Sequence, residues 1–310
     1  MRKFIKNILV FIVLVLIAYP FCIWSWGTFV PSKFQKNLLT QHGSFDFSDK
    51  RFKEAKSFGN VDVLILGSSH SFTQIDPRAF GEKGFKAFNL GSSAQTPVQT
   101  EALLKRYFDK LSPKYVVFEI FPKMFAVDGI ESSLDIVRND SVGLDYLSMA
   151  LSSFNMKLIN TTVFHYINGA SDLNISDKYK IDNKYISGGF VKTESKNGPL
   201  SEHKVVTWDY KSSNFEAFQR IVTFLKQKNV PLLCIEAPCS KALYQKVSNR
   251  EIFKKDVDIS HLNHINFNSK SEFIDSIHFR DFDHLNLSGV YLFNQILIPK
   301  FIDWKKRLPL

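Results

Sequence analysis

The stretch Val61-Asp62-Val63-Leu64-Ile65-Leu66-Gly67-Ser68-Ser69-His70 decides how this chain is read. A short apolar run closed by glycine and small polar residues predicts a strand buried on both faces, which is the signature of a parallel sheet. Two runs of the same kind follow. Lys86–Leu90 ends in Gly91-Ser92-Ser93, and Tyr115–Phe121 stops at Pro122, with a helical pattern over Val98–Leu111 between them. Further along come a helix near Asn214–Lys228, a fourth strand over Val230–Ala237 and a helix around Lys241–Arg250. A short strand is expected near Glu272–Ile277, and a last helix from Asn286 or Leu287 to about Lys305. Strands alternating with helices predict an α/β fold with a central parallel sheet covered on both faces. Ligands of such sheets bind beyond the carboxyl ends of the strands. Ser68–Ser69, Gly91–Ser93 and the loop after Phe121 therefore converge on one edge.

Outward from this core, the N-terminus reads as a membrane anchor. Arg2, Lys3 and Lys6 precede a segment from Ile8 to Trp26 that is almost wholly apolar, and no further charge occurs before Lys33. About 20 such residues suffice to cross a bilayer as a helix. Tyr19, Trp24 and Trp26 resemble an interfacial aromatic belt rather than a cleavage site. The positive charges assign the tip to the cytoplasm, so the main domain is expected in the periplasm or outside the cell, tethered to the cytoplasmic membrane by a single pass. Residues 1–30 form the tip and anchor, 31–58 a membrane-proximal linker, and 59–310 the main domain. Within that domain residues 125–210, rich in Asn, Ser, Asp, Gly and Lys, read as an insertion or cap, partly helical around 142–160.

Composition narrows the function classes. The chain has 310 residues, 45% hydrophobic and 23% charged, which suits a folded domain. Its net charge of +10 comes from scattered Lys and Arg with no aromatic interleaving, so nucleic acid is not an expected partner, whereas anionic lipid is. Three cysteines cannot build a disulfide scaffold, although a Cys234–Cys239 bridge is a minor alternative. No Cys/His cluster has zinc-ligand spacing, and neither a metal nor a cofactor is expected.

Ser69 sits on the turn after the first strand, where helix N-terminal N–H groups favour a developing oxyanion. Serine is a weak nucleophile until a base takes its proton. The base candidate is His284 in Asp281-Phe282-Asp283-His284, with Asp281 three residues away and able to orient the imidazole. Asp283 is the rival orienter, although a directly adjacent side chain is expected to point elsewhere. His70 is the nearest competitor as base, with a side chain expected to diverge from that of Ser69. Capping roles for Ser68, Ser69 and Asp281 are the plain alternatives.

Gly67-Ser68-Ser69, Asn89-Leu90-Gly91 and Asp281-x-x-His284, in that order, resemble blocks I, II and V of the SGNH (GDSL-like) hydrolases. The resemblance covers about residues 60 to 305. It implies a flavodoxin-like three-layer sandwich and a Ser69–His284–Asp281 triad. It also implies an oxyanion hole formed by the backbone N–H groups of Ser69 and Gly91. Two departures stand out: Ser68 replaces the usual Asp, and Phe121-Pro122-Lys123 occupies the place of the block III Asn. Gln95 is a further candidate oxyanion donor. The Ser-Ser pair, the Gly91…Gln95 turn and the Pro-x-x-Phe strand end look like a narrower group of membrane-anchored proteins that serve cell-envelope polymers, including the protein acting late in D-alanylation of lipoteichoic acid. That group implies acyl transfer, with acetyl as the expected group, to a polysaccharide acceptor, and a multipass membrane acyltransferase as donor partner. The alternatives are a carbohydrate esterase or lipase with the same triad, and a non-catalytic envelope-assembly protein.

Overall fold

The computed structural model describes residues 1–43, 46–169, 183–194, 204–268 and 272–308. Parts of the expected insertion (170–182 and 195–203) and of the expected linker (44–45) lie outside the described residues. In chain order the elements are α1 (Arg2–Phe29), α2 (Ser48–Ala55), β1 (Val63–Leu66), α3 (Ser69–Phe72), α4 (Pro77–Gly81), β2 (Ala87–Asn89), α5 (Pro97–Leu111) and β3 (Tyr115–Glu119). Next are α6 (Ile130–Asn139), α7 (Leu144–Ser152), α8 (Met156–Asn168), β4 (Asn183–Ile186), β5 (Phe190–Thr193), α9 (Ser212–Gln227) and β6 (Leu232–Glu236). Last come α10 (Lys241–Tyr244), α11 (Arg250–Asp256), β7 (His264–Asn266), α12 (Asp275–His278) and α13 (Leu287–Lys306). They fall into two compact units, Met1–Ser44 with Ser133–Lys178, and Phe45–Ser132 with Tyr179–Leu310.

In the first unit α1 is, among the described residues, the one helix long and apolar enough to cross a membrane. The Gln35 side chain closes its C-terminal end by donating to the carbonyls of Trp26 (3.2 Å), Gly27 (3.1 Å) and Val30 (2.6 Å). This satisfies acceptors that have no partner within the helix. The chain that follows is bonded to α8: Leu39 N–H donates to Thr161 Oγ1 at 3.1 Å, and the Leu39 carbonyl lies 2.9 Å from His165 Nε2.

The second unit is built on a five-stranded parallel sheet in the order β2-β1-β3-β6-β7. Side chains alternate across it, as the strand period requires. Val63, Ile65, Val117, Leu233 and Ile235 meet α4 and α13 through Phe80, Phe293, Leu297 and Phe301, all buried. On the opposite face Phe118 packs against Phe218 of α9 at 5.8 Å between ring centroids, and α9 packs on α5, with Phe108 and Phe224 5.0 Å apart. Each fully buried side chain of this size contributes about 1.5–3 kcal/mol of transfer free energy. Helix α5 starts with Pro97 after a Thr96–Gln99 capping box and stops at Ser112 in the left-handed region. Both ends therefore agree with local chemistry.

Two expectations change. The fifth strand is β7, and the Glu272–Ile277 segment instead carries α12. An edge strand reading His-Ile-Asn, only partly buried, has no apolar run to announce it. Asp275 is drawn out of any strand because its carboxylate accepts the N–H groups of Lys241 (2.9 Å) and Ala242 (3.1 Å) at the start of α10. The expected helix over Lys241–Arg250 is split into α10 and α11. Between them Val206 and Val247 form an isolated parallel bridge, with Val206 N–H donating to the Lys246 carbonyl and Ser248 N–H to the Val206 carbonyl. Cys234 and Cys239 are buried free thiols.

At the carboxyl edge β1 and β3 come so close that only glycine fits at position 67. Its φ is +141°, and a Cβ would stand 2.8 Å from Glu119 Cβ and 2.9 Å from the Glu119 carbonyl oxygen. Glu119 is fully buried, and burial pushes its carboxyl up to about 8 against the hydrogen bonds that favour its charged form. A raised acid pKa means that the folded state holds a proton the unfolded chain has released. The resulting stabilisation is complete below the unfolded value near 4.5 and is lost as pH rises towards 8. The slope is at most roughly 1.4 kcal/mol per pH unit. Glu119→Gln should therefore gain stability relative to the unsubstituted protein as pH rises from 5 to 8, read from denaturant midpoints. Parallel pH profiles in the two proteins would contradict this.

Candidate active site

All of the residues described below belong to the second unit. Ser68 stands at the N-terminal boundary of the short α3 without a side-chain capping bond, and Ser69 is the first residue of that helix, set at the edge by the turn through Gly67. Ser69 Oγ lies 2.8 Å from His284 Nε2. On the other side of the ring, His284 Nδ1 is 3.0 and 3.1 Å from the two carboxylate oxygens of Asp281. Ser69, His284 and Asp281 thus form a continuous hydrogen-bonded chain.

The turn that carries His284 is tight. Asp281 Oδ1 accepts the N–H groups of Asp283 (3.0 Å) and His284 (2.7 Å), and the Arg280 N–H donates to the His284 carbonyl at 3.0 Å. An antiparallel bridge between Phe279 and Leu285 closes its base. This reversal corrects the expectation for Asp283. Its side chain does not point elsewhere: Oδ1 lies 3.0 Å from His284 Nδ1, and Oδ2 lies 3.2 Å from Lys123 Nζ. A chain folded back within five residues brings neighbouring carboxylates to the same ring, which spacing in an extended segment does not reveal. Asp283 is also the more sheltered, with 17% side-chain exposure against 49% for Asp281.

Charge is distributed unevenly. Burial draws the His284 pKa down, but the hydrogen bonds and charges of Asp281 and Asp283 outweigh it, so that the pKa lies above the ordinary 6.5. For Asp283, burial opposes ionisation, and the imidazoles of His284 and His70 together with Lys123 reverse that, holding the carboxyl well below its usual range. His70 is buried, and its pKa falls to about 3, first by burial and then by the charge of His284. Its ring stacks on His284 at 4.7 Å and nearly parallel, packs on Phe121, and directs Nδ1 to Ser68 Oγ at 3.1 Å. The Ser68 hydroxyl is also 3.3 Å from Glu119 Oε2. His70 is therefore a neutral, sequestered ring beneath the site, with Nδ1 directed to Ser68.

Gly91 is hemmed in: a Cβ there would sit 2.0 Å from Ser71 Oγ. Its N–H donates to Asn89 Oδ1 at 3.0 Å. Gln95 is buried with its amide engaged in its own loop, donating to Thr100 Oγ1 and accepting from Ser92 Oγ, both at 2.8 Å. In the stretch after β3, Lys123 reaches Asp283. His70, Asp283 and His284 are a group whose possible metal-ligand atoms converge within 4.8 Å. A cation there would have to displace the bonds of His284 to Ser69 and Asp281. Sequence reading missed Lys123, whose contact joins separate loops, Glu119, whose burial is set by the sheet, and the contact of Asp283, which depends on the closure of its own turn.

Ser69 and His284 lie between two clefts. One, of about 190 Å³, is lined by Phe121, Met124, Val127 and the Ser93–Gln95 loop. The other, of about 440 Å³, is lined by Asp46, Thr73, Asn183, Thr193, Arg280 and Asp281. In the second cleft Thr193 Oγ1 and Arg280 Nε are buried without a hydrogen-bond partner among the described residues. Arg280 Nε is 3.7 Å from Asp281, too long for such a bond. A larger groove of about 790 Å³ between α4, β5 and α13 contains none of Ser69, Asp281 and His284.

No protein-family model matches the chain, and no curated protein matches it. Among solved structures it is similar to a candidate acylhydrolase from Bacteroides fragilis (12% identity, TM-score 0.42, covering 85% of this chain and 100% of that one). It is also similar to a GDSL-like lipase from Bacteroides thetaiotaomicron (11% identity, TM-score 0.41, covering 84% and 100%). A two-domain esterase active on acetylated mannans is a third (12% identity, TM-score 0.41); this chain spans 57% of its length, over 88% of its own.

Proposed function

We propose that the protein is a membrane-anchored serine acyltransferase of the SGNH type that moves a short acyl group onto a carbohydrate hydroxyl through an acyl-enzyme on Ser69. The observation that carries this reading is the hydrogen-bonded chain Ser69–His284–Asp281. Ser69 Oγ attacks the acyl carbonyl while His284 Nε2 takes its proton. As the tetrahedral intermediate collapses, that proton goes to the departing oxygen, leaving an ester on Ser69. An acceptor hydroxyl then attacks the ester, again with His284 as base, and Ser69 recovers its proton. Water in the same position would give hydrolysis. Asp281 and Asp283 stabilise the imidazolium formed in each half-reaction.

The Ser69 N–H, in the first turn of α3, is the donor we assign to the oxyanion. Gly91 and Gln95 could join it only by releasing Asn89 and Thr100. The small cleft, with its Phe121, Met124 and Val127 walls, suits a short acyl chain such as acetyl. The larger cleft suits a polyol or sugar, because Thr193 Oγ1 and Arg280 Nε have no hydrogen-bond partner among the described residues. Helix α1 supports membrane attachment, with the cationic tip inside and the sheet unit on the outer face. The proposal takes a multipass membrane acyltransferase as the acyl donor.

Turnover of p-nitrophenyl acetate, with and without an oligosaccharide acceptor, separates transfer from hydrolysis. Ser69→Ala and His284→Ala should each lower kcat/KM by on the order of 10³-fold or more while leaving the circular dichroism spectrum unchanged. Retention of activity by Ser69→Ala would remove the acyl-enzyme from the scheme. Because the base must be neutral, kcat/KM should rise with pH through a pKa above 6.5. Asp281→Asn and Asp283→Asn should each move that limb to lower pH, at a smaller loss than His284→Ala, and the double substitution should move it furthest. A limb unmoved in both single variants would show that neither carboxylate acts on the imidazole.

A further inference from the structure

The first unit contains a feature that the proposed chemistry does not use. From Tyr146 to Asn168 the chain carries a single formally charged residue, Lys157. This stretch forms most of α7 and all of α8, and the tip between them presents Leu151 (52% exposed), Phe154 (90%) and Met156 (55%). Phe154 also adopts a left-handed φ of +51°, a conformation that costs a non-glycine residue roughly 1–2 kcal/mol. Turn chemistry in water favours Gly or Asn there and gives no reason for an exposed phenyl ring.

The polar groups of the same tip are spent on one another. Ser152 Oγ donates to the Met149 carbonyl (2.8 Å) and Ser153 Oγ to the Ala150 carbonyl (2.6 Å). Asn155 N–H donates to Ser153 Oγ (3.2 Å), and Asn155 Oδ1 accepts the Leu158 N–H (3.0 Å). Internal satisfaction of backbone and hydroxyl groups is what an apolar solvent demands.

The position of the tip relative to α1 points the same way. Phe164 of α8 presses on Gly27, where a Cβ would meet its ring at 2.2 Å, and Asn160, one turn earlier, bonds Tyr19. Moving towards the N-terminus of α8 thus moves the contact from the Trp24–Trp26 level towards the middle of the apolar segment. Tyr19 lies about 10 Å along the helix from Trp26. The α7–α8 turn continues in that direction beyond Asn160.

From these three observations we propose that the α7–α8 hairpin is a second membrane element, its Leu151–Phe154–Met156 tip buried in the acyl-chain region of the bilayer that α1 crosses. The proposal rests on α1 being a span and not on the chemistry of Ser69. An exposed apolar tip of this kind is what inserts beneath the headgroups of a bilayer.

The test uses the full-length protein in phosphatidylcholine nanodiscs in a Cys22→Ser background, in which the two remaining cysteines are buried. A bimane fluorophore is placed by Phe154→Cys or Leu151→Cys, and by Gln219→Cys on exposed α9 as the aqueous control. At 154 and 151, fluorescence should be lost in nanodiscs of acyl-brominated phosphatidylcholine and should be shielded from aqueous iodide, with the opposite pattern at 219. Quenching by iodide at both tip positions, with no effect of brominated lipid, would overturn the proposal. Quenching by neither agent would also overturn it, because protein rather than lipid would then cover the tip. Two tip positions, both exposed in the fold, keep the result independent of any one substitution.

Discussion

The hydrogen bond from Ser69 to His284 joins residues 215 positions apart, and the site depends on the constraint that brings those two segments together. Ser69 is held by the first strand of the sheet. His284 is held by the turn that leads into α13, whose buried Val290, Phe293, Leu297 and Phe301 lie on one face of that same sheet. The apolar face of α13 therefore sets the height of the histidine above the carboxyl edge. Ordering one residue costs about 1–2 kcal/mol of backbone entropy, comparable with the gain from burying one of these side chains. A precise turn can thus be maintained at the rim because the helix behind it is packed along most of its length.

Around the imidazole the protein separates charged from neutral groups. Asp281 and Asp283 face Nδ1, and Lys123 balances Asp283, so the ring is held ready to become a cation. Directly beneath, His70 and Glu119 are both pushed by burial towards their neutral forms and meet through the Ser68 hydroxyl. A carboxylate there would put a second acid beside Glu119, with no cation among the described contacts to offset it. The serine at this position is consistent with that buried acid.

Much of this was legible in the chain. The runs at Val61–Leu66, Lys86–Leu90, Tyr115–Phe121 and Val230–Ala237 are apolar because those strands are covered on both faces, and each became a strand of the sheet. Strand β7 was not legible, since three partly buried edge residues have no hydrophobic signature. Ser69, Asp281 and His284 were found because a strand end and a three-residue spacing are local patterns. The contact of Lys123 with Asp283 joins segments 160 residues apart, and the contacts of Asp283, Gly91 and Gln95 with near neighbours depend on how tightly each turn closes, which spacing alone does not encode. The looser segment around 142–160 became two helices of the first unit, and the near absence of charge from Tyr146 onward acquired meaning only beside α1.

The most direct measurement of the central claim is the mass of the Ser69 peptide after the protein is mixed with p-nitrophenyl acetate and quenched in acid. The account predicts one acetyl group on Ser69, formed at the rate of the nitrophenolate burst and lost when a sugar acceptor is added before the quench. Steady ester turnover by the folded protein with Ser69 unmodified, or with the acetyl group on another residue, would contradict it.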